Sequence, residues 1–252
     1  YVKMHPHQKP IRKRSVDHII KEIVDAKTRF PFIEFIKFED DAFFLMSKEE
    51  MKDFSIQYKE KVKLPLIILG ATPSTLTKEK FSLMVDAGLW EIRMGIQSAG
   101  TNTKKIFKRP HSNKRVFHAT NIANRFKDKV RAKYDVIIDS PWETDEDQIE
   151  TLMFLARIKT PWLLNLFSLT FFPGTTLYDK AKKDGIIKDG FIHDLNDVYR
   201  KTYAGVKRTY LNRLFFLLSA SMGTMSTRTM SILLNKTVRK LKLGLVLYAV
   251  LS

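Results

Sequence analysis

The chain has 252 residues, 44% of them apolar and 28% charged, proportions of a folded globular protein that exclude an intrinsically disordered one. Its formal net charge is +17, and 13 of those charges sit at the two ends: Lys3, Lys9, Arg12, Lys13 and Arg14 at the start, and eight Lys and Arg residues between Lys207 and Lys242. No cysteine is present, so these residues can form neither a disulfide nor a thiolate metal site.

The middle of the chain alternates strand-like and helix-like patterns. Ser15 is placed to cap a helix with Val16, Ile19, Ile20 and Ile23 on one face. Residues 32–38 (FIEFIKF) read as a strand, and Ser47 with Glu50 forms a capping box for the next helix. A buried-strand run follows at 64–69, then a helix from Thr77 to Gly88 and a strand at 91–96. Val116, Ala119, Ala123 and Phe126 mark another helix, and 133–139 another strand. Thr144 and Asp145 start a helix with Ile149, Leu152, Met153 and Ala156 inward. The last strand is 163–169, before a helix opening at Thr175 or Thr176 and ending near Gly185.

Five strands, each followed by a helix, imply parallel pairing with right-handed crossovers, and chemistry at the strand C-terminal ends. Patterning alone leaves a closed barrel and an open sheet both standing. The first helix has no strand before it, which predicts one upstream. Tyr1 is not an initiator Met and the chain ends in an apolar run, so both ends read as cut. The rhythm stops near residue 205, dividing the chain into 1–205, the α/β body, and 206–252, a basic, apolar, helical tail. The tail's uncharged runs, 214–225 and 243–251, are shorter than the ~20 residues of a spanning helix. Packing on the body and peripheral contact with an anionic membrane are the two readings of it. The expected location is cytoplasmic.

Polar residues gather where each strand should end: Glu39-Asp40-Asp41, Gln97-Ser98, Asp135 with Asp139-Ser140-Pro141-Trp142-Glu143-Thr144, and Pro173-Gly174-Thr175. Any one of these is an ordinary turn or cap. Their order and spacing carry the signal. Five ordered blocks, RKRSVDHIIKEI, IKFEDDAFF, LMVDAGLWEIRMGIQSAGTNTKKIFKRPH, YDVIIDSPWETDEDQIETLMFL and FSLTFFPGTTLYDKAKKDGII, resemble the radical S-adenosylmethionine (radical SAM) superfamily, most closely the group often fused to a cobalamin-binding domain.

That resemblance implies a partial (β/α)6 TIM-like barrel whose Cys-x3-Cys-x2-Cys loop and first strand would lie before Tyr1. It implies a four-iron four-sulfur cluster held by residues outside this chain, S-adenosylmethionine bound to that cluster, and a 5′-deoxyadenosyl radical that abstracts hydrogen. A cobalamin domain outside the chain is a further implication. The resemblance places Glu39, Asp40 and Asp41 at the amino end of S-adenosylmethionine, in a segment that departs from the Gly-Gly-Glu-like family pattern. It places Gln97 and Ser98 at the ribose and methionine, Arg109 at the carboxylate, Asp135 at the ribose hydroxyls and Pro173 in the turn near the adenine. The resemblance leaves the catalytic residues unassigned, and no metal ligand is assigned within the chain. Asp139 replaces a family glycine, and Glu143 and Thr144 read as helix caps.

Methyl transfer and ring or carbon-skeleton modification are the outcomes this group implies, with an electron donor as partner and the substrate open. An RNA-modifying enzyme of the same fold ranks below that reading, because the positive charge lies at the ends and no RNA-binding module is visible. A degenerate, non-catalytic barrel acting as a binding module is the third reading. By itself the chain is expected to be inert.

Overall fold

The computed structural model describes residues 13–40, 43–109, 111–187 and 206–240. Helix α1 (Val16–Arg29) starts where Ser15 accepts a hydrogen bond from the His18 amide and turns Val16, Ile20 and Ile23 into the core. Strand β1 (Ile36–Phe38) follows. It is shorter than the stretch read from 32, because Phe30, Pro31 and Phe32 form a turn and only residues 36–38 find a partner strand. Helix α2 (Lys48–Gln57) opens on the expected capping box of Ser47 and Glu50. It runs into one π-helical turn, Tyr58–Val62, closed by Lys63 in the left-handed region.

Strand β2 (Leu66–Ala71), helix α3 (Lys78–Ala87) and strand β3 (Leu89–Gln97) come next, with Thr77 capping α3 and Gly88, at φ 107°, ending it. Helix α4 (Thr101–Ile106) is short and carries no strong pattern of its own. Helix α5 (Asn113–Asn124), strand β4 (Arg131–Ile138), helix α6 (Asp145–Leu155), strand β5 (Leu163–Ser168) and helix α7 (Thr176–Lys183) complete the body. Thr144 caps α6 as expected, in a reciprocal box with Asp147.

The sheet order is β1-β2-β3-β4-β5, all parallel. Every crossover joins neighbouring strands, so right-handed connections throw all the helices onto one face, as in a barrel and unlike a doubly wound sheet. The packing agrees. Ile68, Ile92, Met94, Tyr134 and Val136 point to the helices and join one core with Ile20, Phe54, Phe81, Ala119 and Leu152. The alternate residues Leu69, Arg93, Gln97, Lys133, Asp135 and Asn165 stand on the concave face. The architecture is α/β, a partial TIM-like barrel.

Residues 206–240 add helices α8 (Tyr210–Ala220), α9 (Thr227–Leu234) and α10 (Lys236–Lys240). Leu211, Leu214, Phe215, Leu217 and Leu218 of α8 are buried in the same core as the barrel helices. Ser219 donates to the Leu164 carbonyl at 3.0 Å. Gly223 lies so close to the Trp162 ring that a Cβ there would stand 2.2 Å from it. The run 214–225 therefore packs on the barrel, while 243–251 lies outside the described residues. No described helix is long and apolar enough to cross a membrane.

Candidate functional site at the strand C-terminal ends

A cavity of about 390 Å³ opens at the C-terminal ends of β2 and β3, lined among others by Thr72, Arg93, Gln97, Arg109, His111 and Asp135. Its floor is Asp135. Arg93 donates from Nε to both carboxylate oxygens at 2.7 Å, and Asn165, directly across the ladder, donates to Oδ1 at 2.9 Å. The guanidinium also lies 5.1 Å from the centre of the Phe167 ring. The carboxylate is thus fixed in position yet retains acceptor capacity, because two oxygens offer about four lone-pair directions.

Gln97 ends β3 at φ 67°, in a tight turn where the Ser98 amide donates to the Ile96 carbonyl at 2.8 Å. Its amide folds back over Gly95; a Cβ there would stand 2.3 Å from Gln97 Nε2. Glycine at 95 is what lets this side chain lie in the cavity. Neither the Gln97 amide nor the Arg109 guanidinium has a side-chain partner among the described residues. Burial, reinforced by Arg109, Arg115 and Lys104, holds the His111 imidazole below its ordinary pKa, so the ring is neutral at pH 7 and can accept as well as donate.

The structure thus brings together Gln97, Arg109 and Asp135 of the expected residues. It places the others elsewhere. Ser98 is buried behind the cavity, its hydroxyl 3.1 Å from Thr151 Oγ1 and accepting from the Gly100 amide at 3.1 Å. Glu39 is exposed after β1 and pairs with Lys37 at 2.5 Å. Asp40 is exposed beside it, and Asp41 lies outside the described residues. Pro173 stands exposed in the turn after β5. Sequence reasoning missed Arg93, Asn165 and His111. A signal for Arg93 existed: Glu91, Arg93, Arg131, Lys133 and Asp135 recur at every second position in strands that read as doubly buried, which marks a polar lumen.

Behind the rim lies a second polar cluster. Asp139 keeps a glycine-like backbone at φ 64° and spends its carboxylate on Ser168, on the Lys207 amide and on Asn212, at 2.9, 3.0 and 2.7 Å. Glu143 accepts from Gln148 at 3.1 Å and from Thr103 at 3.4 Å. Burial pushes its carboxyl up to about 7, with Asp147 and Asp139 adding to the rise and those two hydrogen bonds opposing it. Glu143 therefore links α4 to α6 through these two bonds.

A singly wound parallel barrel with a polar rim at its strand C-terminal ends defines a ligand-binding α/β enzyme scaffold. The radical SAM superfamily model matches residues 1–155, and the chain belongs to that superfamily. Among solved structures it is similar in fold to the radical SAM enzyme coproporphyrinogen III oxidase (HemN) of Escherichia coli, at 15% identity over 76% of this chain and 45% of that one, with a TM-score of 0.53. It is likewise similar to the radical SAM methyltransferase TsrM of Kitasatospora setae. The form with cobalamin and a [4Fe-4S] cluster bound matches at 15% identity and TM-score 0.55, and the form with tryptophan and aza-SAM at 12% and 0.57. Each TsrM match covers 68% of this chain and 34% of that one. The chain thus spans less than half the length of these structures. Among curated proteins none matches it.

Proposed function

We propose that this chain is the S-adenosylmethionine-binding wall of a radical SAM enzyme, and that the full-length protein cleaves S-adenosylmethionine reductively at a four-iron four-sulfur cluster. The observation that carries the reading is the cavity rim, where the Gln97 amide and the Arg109 guanidinium, without side-chain partners among the described residues, line one cavity with a fixed Asp135 carboxylate. Arg109 suits the methionine carboxylate, since its fork matches a carboxylate in charge and shape. Asp135 suits the ribose diol, because its free lone pairs can accept from both hydroxyls while Arg93 and Asn165 hold it still. Gln97 can donate to and accept from either part.

The cluster does not fit this chain: with no cysteine in the sequence, no residue of it supplies a thiolate, and the chain alone is inert in radical chemistry. Its own residues bind and orient S-adenosylmethionine. Cobalamin-dependent methyl transfer, or ring or carbon-skeleton modification, is the finer reading; it rests on the sequence resemblance to the cobalamin-linked group. An electron donor is the partner this chemistry requires.

Equilibrium dialysis of the chain against labelled S-adenosylmethionine tests the binding step. Saturable binding is expected, weakened about tenfold or more by Arg109→Ala through loss of a charged hydrogen bond. Absence of saturable binding would sink the reading. The full-length protein, reconstituted anaerobically and reduced, is expected to release 5′-deoxyadenosine.

A further inference from the structure

The end of the barrel opposite the cavity carries an unusual surface. At the N-terminal ends of the strands, Phe32 is 79% exposed, Phe30 49%, Phe35 48% and Trp90 44%. The rings of Phe30 and Phe32 stand 5.9 Å apart on the turn between α1 and β1, stiffened by Pro31. Trp90 lies under the Arg131 guanidinium, 4.5 Å from ring centre to carbon. Isolated exposed aromatics are ordinary, but four at one end of a chain that buries Phe43, Phe44, Phe54 and Phe81 completely or nearly so form a patch that calls for a partner.

The charges around it give the partner's chemistry. Arg29, Lys59, Lys63 and Lys129 border the aromatics, all exposed. None of the four cationic groups has an ion-pair partner among the described residues. Acids stand among them: Glu34 and Asp86 line the same hollow, and exposed Glu60 and Asp128 adjoin Lys59 and Lys129 in sequence, while Lys61, Lys127 and Arg131 add further cations nearby. Aromatic rings on a projecting turn, backed by long flexible cations, match the headgroup region of a bilayer: the rings enter the boundary between headgroups and acyl chains, and the ammonium groups meet phosphates. The tail does not compete for this role with its first apolar run, whose Leu214, Phe215, Leu217 and Leu218 are buried in the core.

We infer that the strand N-terminal end of this barrel, with the Phe30-Pro31-Phe32 turn and Trp90 as anchors, is a docking surface for an anionic lipid bilayer. The surface lies at the opposite end from the rim cavity, so a docked barrel keeps that cavity open to solvent. The inference is independent of the S-adenosylmethionine reading.

Flotation of the intact chain with phosphatidylcholine vesicles, with and without phosphatidylserine, tests it. The chain is expected to float with the anionic vesicles, to fall off as salt rises, and to stay behind with neutral ones. The double variants Phe30→Ser/Phe32→Ser and Lys59→Glu/Lys129→Glu each alter exposed side chains only, so the fold survives, as an unchanged thermal melt would verify. Each is expected to lower vesicle affinity roughly tenfold or more. Brominated lipid should quench Trp90, and the quenching should vanish in Trp90→Phe although Trp142 and Trp162 remain. Failure to float with anionic vesicles overturns the inference and leaves the patch to a protein partner. Flotation that both double variants leave unchanged overturns it equally, because the contact would then lie elsewhere.

Discussion

Glu143 shows how one side chain's chemistry follows from its place. It sits between α4 and α6, partly buried, with Asp139 and Asp147 close by. Its carboxyl titrates near 7 in the fold and near 4.5 when exposed. The folded state thus holds a proton that the unfolded chain releases, so the stability linked to Glu143 is fully present below about pH 4.5. It is lost as pH rises through about 7. Glu143→Gln keeps the amide-sized shape and removes the titration. The variant is expected to gain roughly 1–3 kcal/mol over the wild type at pH 8 and nothing at pH 4.5. Urea melts across that range check it, and parallel pH profiles for the two proteins would refute it. Asp135 is the contrasting case. There Arg93 and Asn165 surround the carboxylate with donors and fix its position at the cavity.

Helix α4 depends on its surroundings. Six residues cannot hold a helix alone. Its first amides are met by α6 instead: Asp147 Oδ1 accepts from Asn102 at 2.8 Å and Thr103 at 3.3 Å, and Glu150 accepts from Thr101 at 2.7 Å. Asp147 Oδ2 meanwhile caps α6 with Thr144. Gly100 permits the approach, since a Cβ there would stand 2.6 Å from the Asp147 Cβ. Arg109 follows α4 closely, its amide bonded to the Lys104 carbonyl at 2.9 Å. One carboxylate therefore anchors two helices and, through α4, the rim. Asp147→Ala is expected to cost about 2–3 kcal/mol in unfolding free energy. Amide exchange in 101–106 should rise more than elsewhere; uniform exchange across the barrel would contradict the anchoring.

Across the whole molecule, the helices of 206–240 close over the β5 side of the sheet. Their attachment is apolar along α8, helped by polar bonds among which fully buried Asn212 donates to Asp139 at 2.7 Å and to the Lys207 carbonyl at 2.8 Å. Removing Asn212 breaks both of these part-buried hydrogen bonds. Asn212→Ala is expected to lower stability by about 1–3 kcal/mol. Limited proteolysis should then cut within 206–240 before the barrel strands; retention of wild-type resistance would show the clasp to be dispensable. At the other end of the lumen, nearly buried Glu91 gathers Arg131 and Lys133 at 2.6 and 2.8 Å. The concave face of the sheet carries charged residues at both ends, interleaved with apolar ones such as Leu69 and Phe167, and the main core lies on the helix side.

The sequence by itself determined the elements whose signals are local. Ser15, Ser47, Thr77 and Thr144 announce their helices because a cap bonds amides two or three residues away. The five strands announce themselves through apolar runs, and the ordered blocks at their ends identify the superfamily. Of the residues expected at the site, Gln97, Arg109 and Asp135 share the cavity, while Ser98 turns into the packing and Glu39 pairs beside β1. Only the tertiary structure decided that division, because a strand's alternation tells which residues share a face and not which face is the lumen. It also decided α4, whose donors are satisfied 40 to 50 residues away by Asp147 and Glu150, and the sheet order, which long-range pairing sets. Sequence proximity reports capping and periodicity; the Arg93–Asp135 pair spans 42 positions, and contacts of that separation exist only once the crossovers have folded.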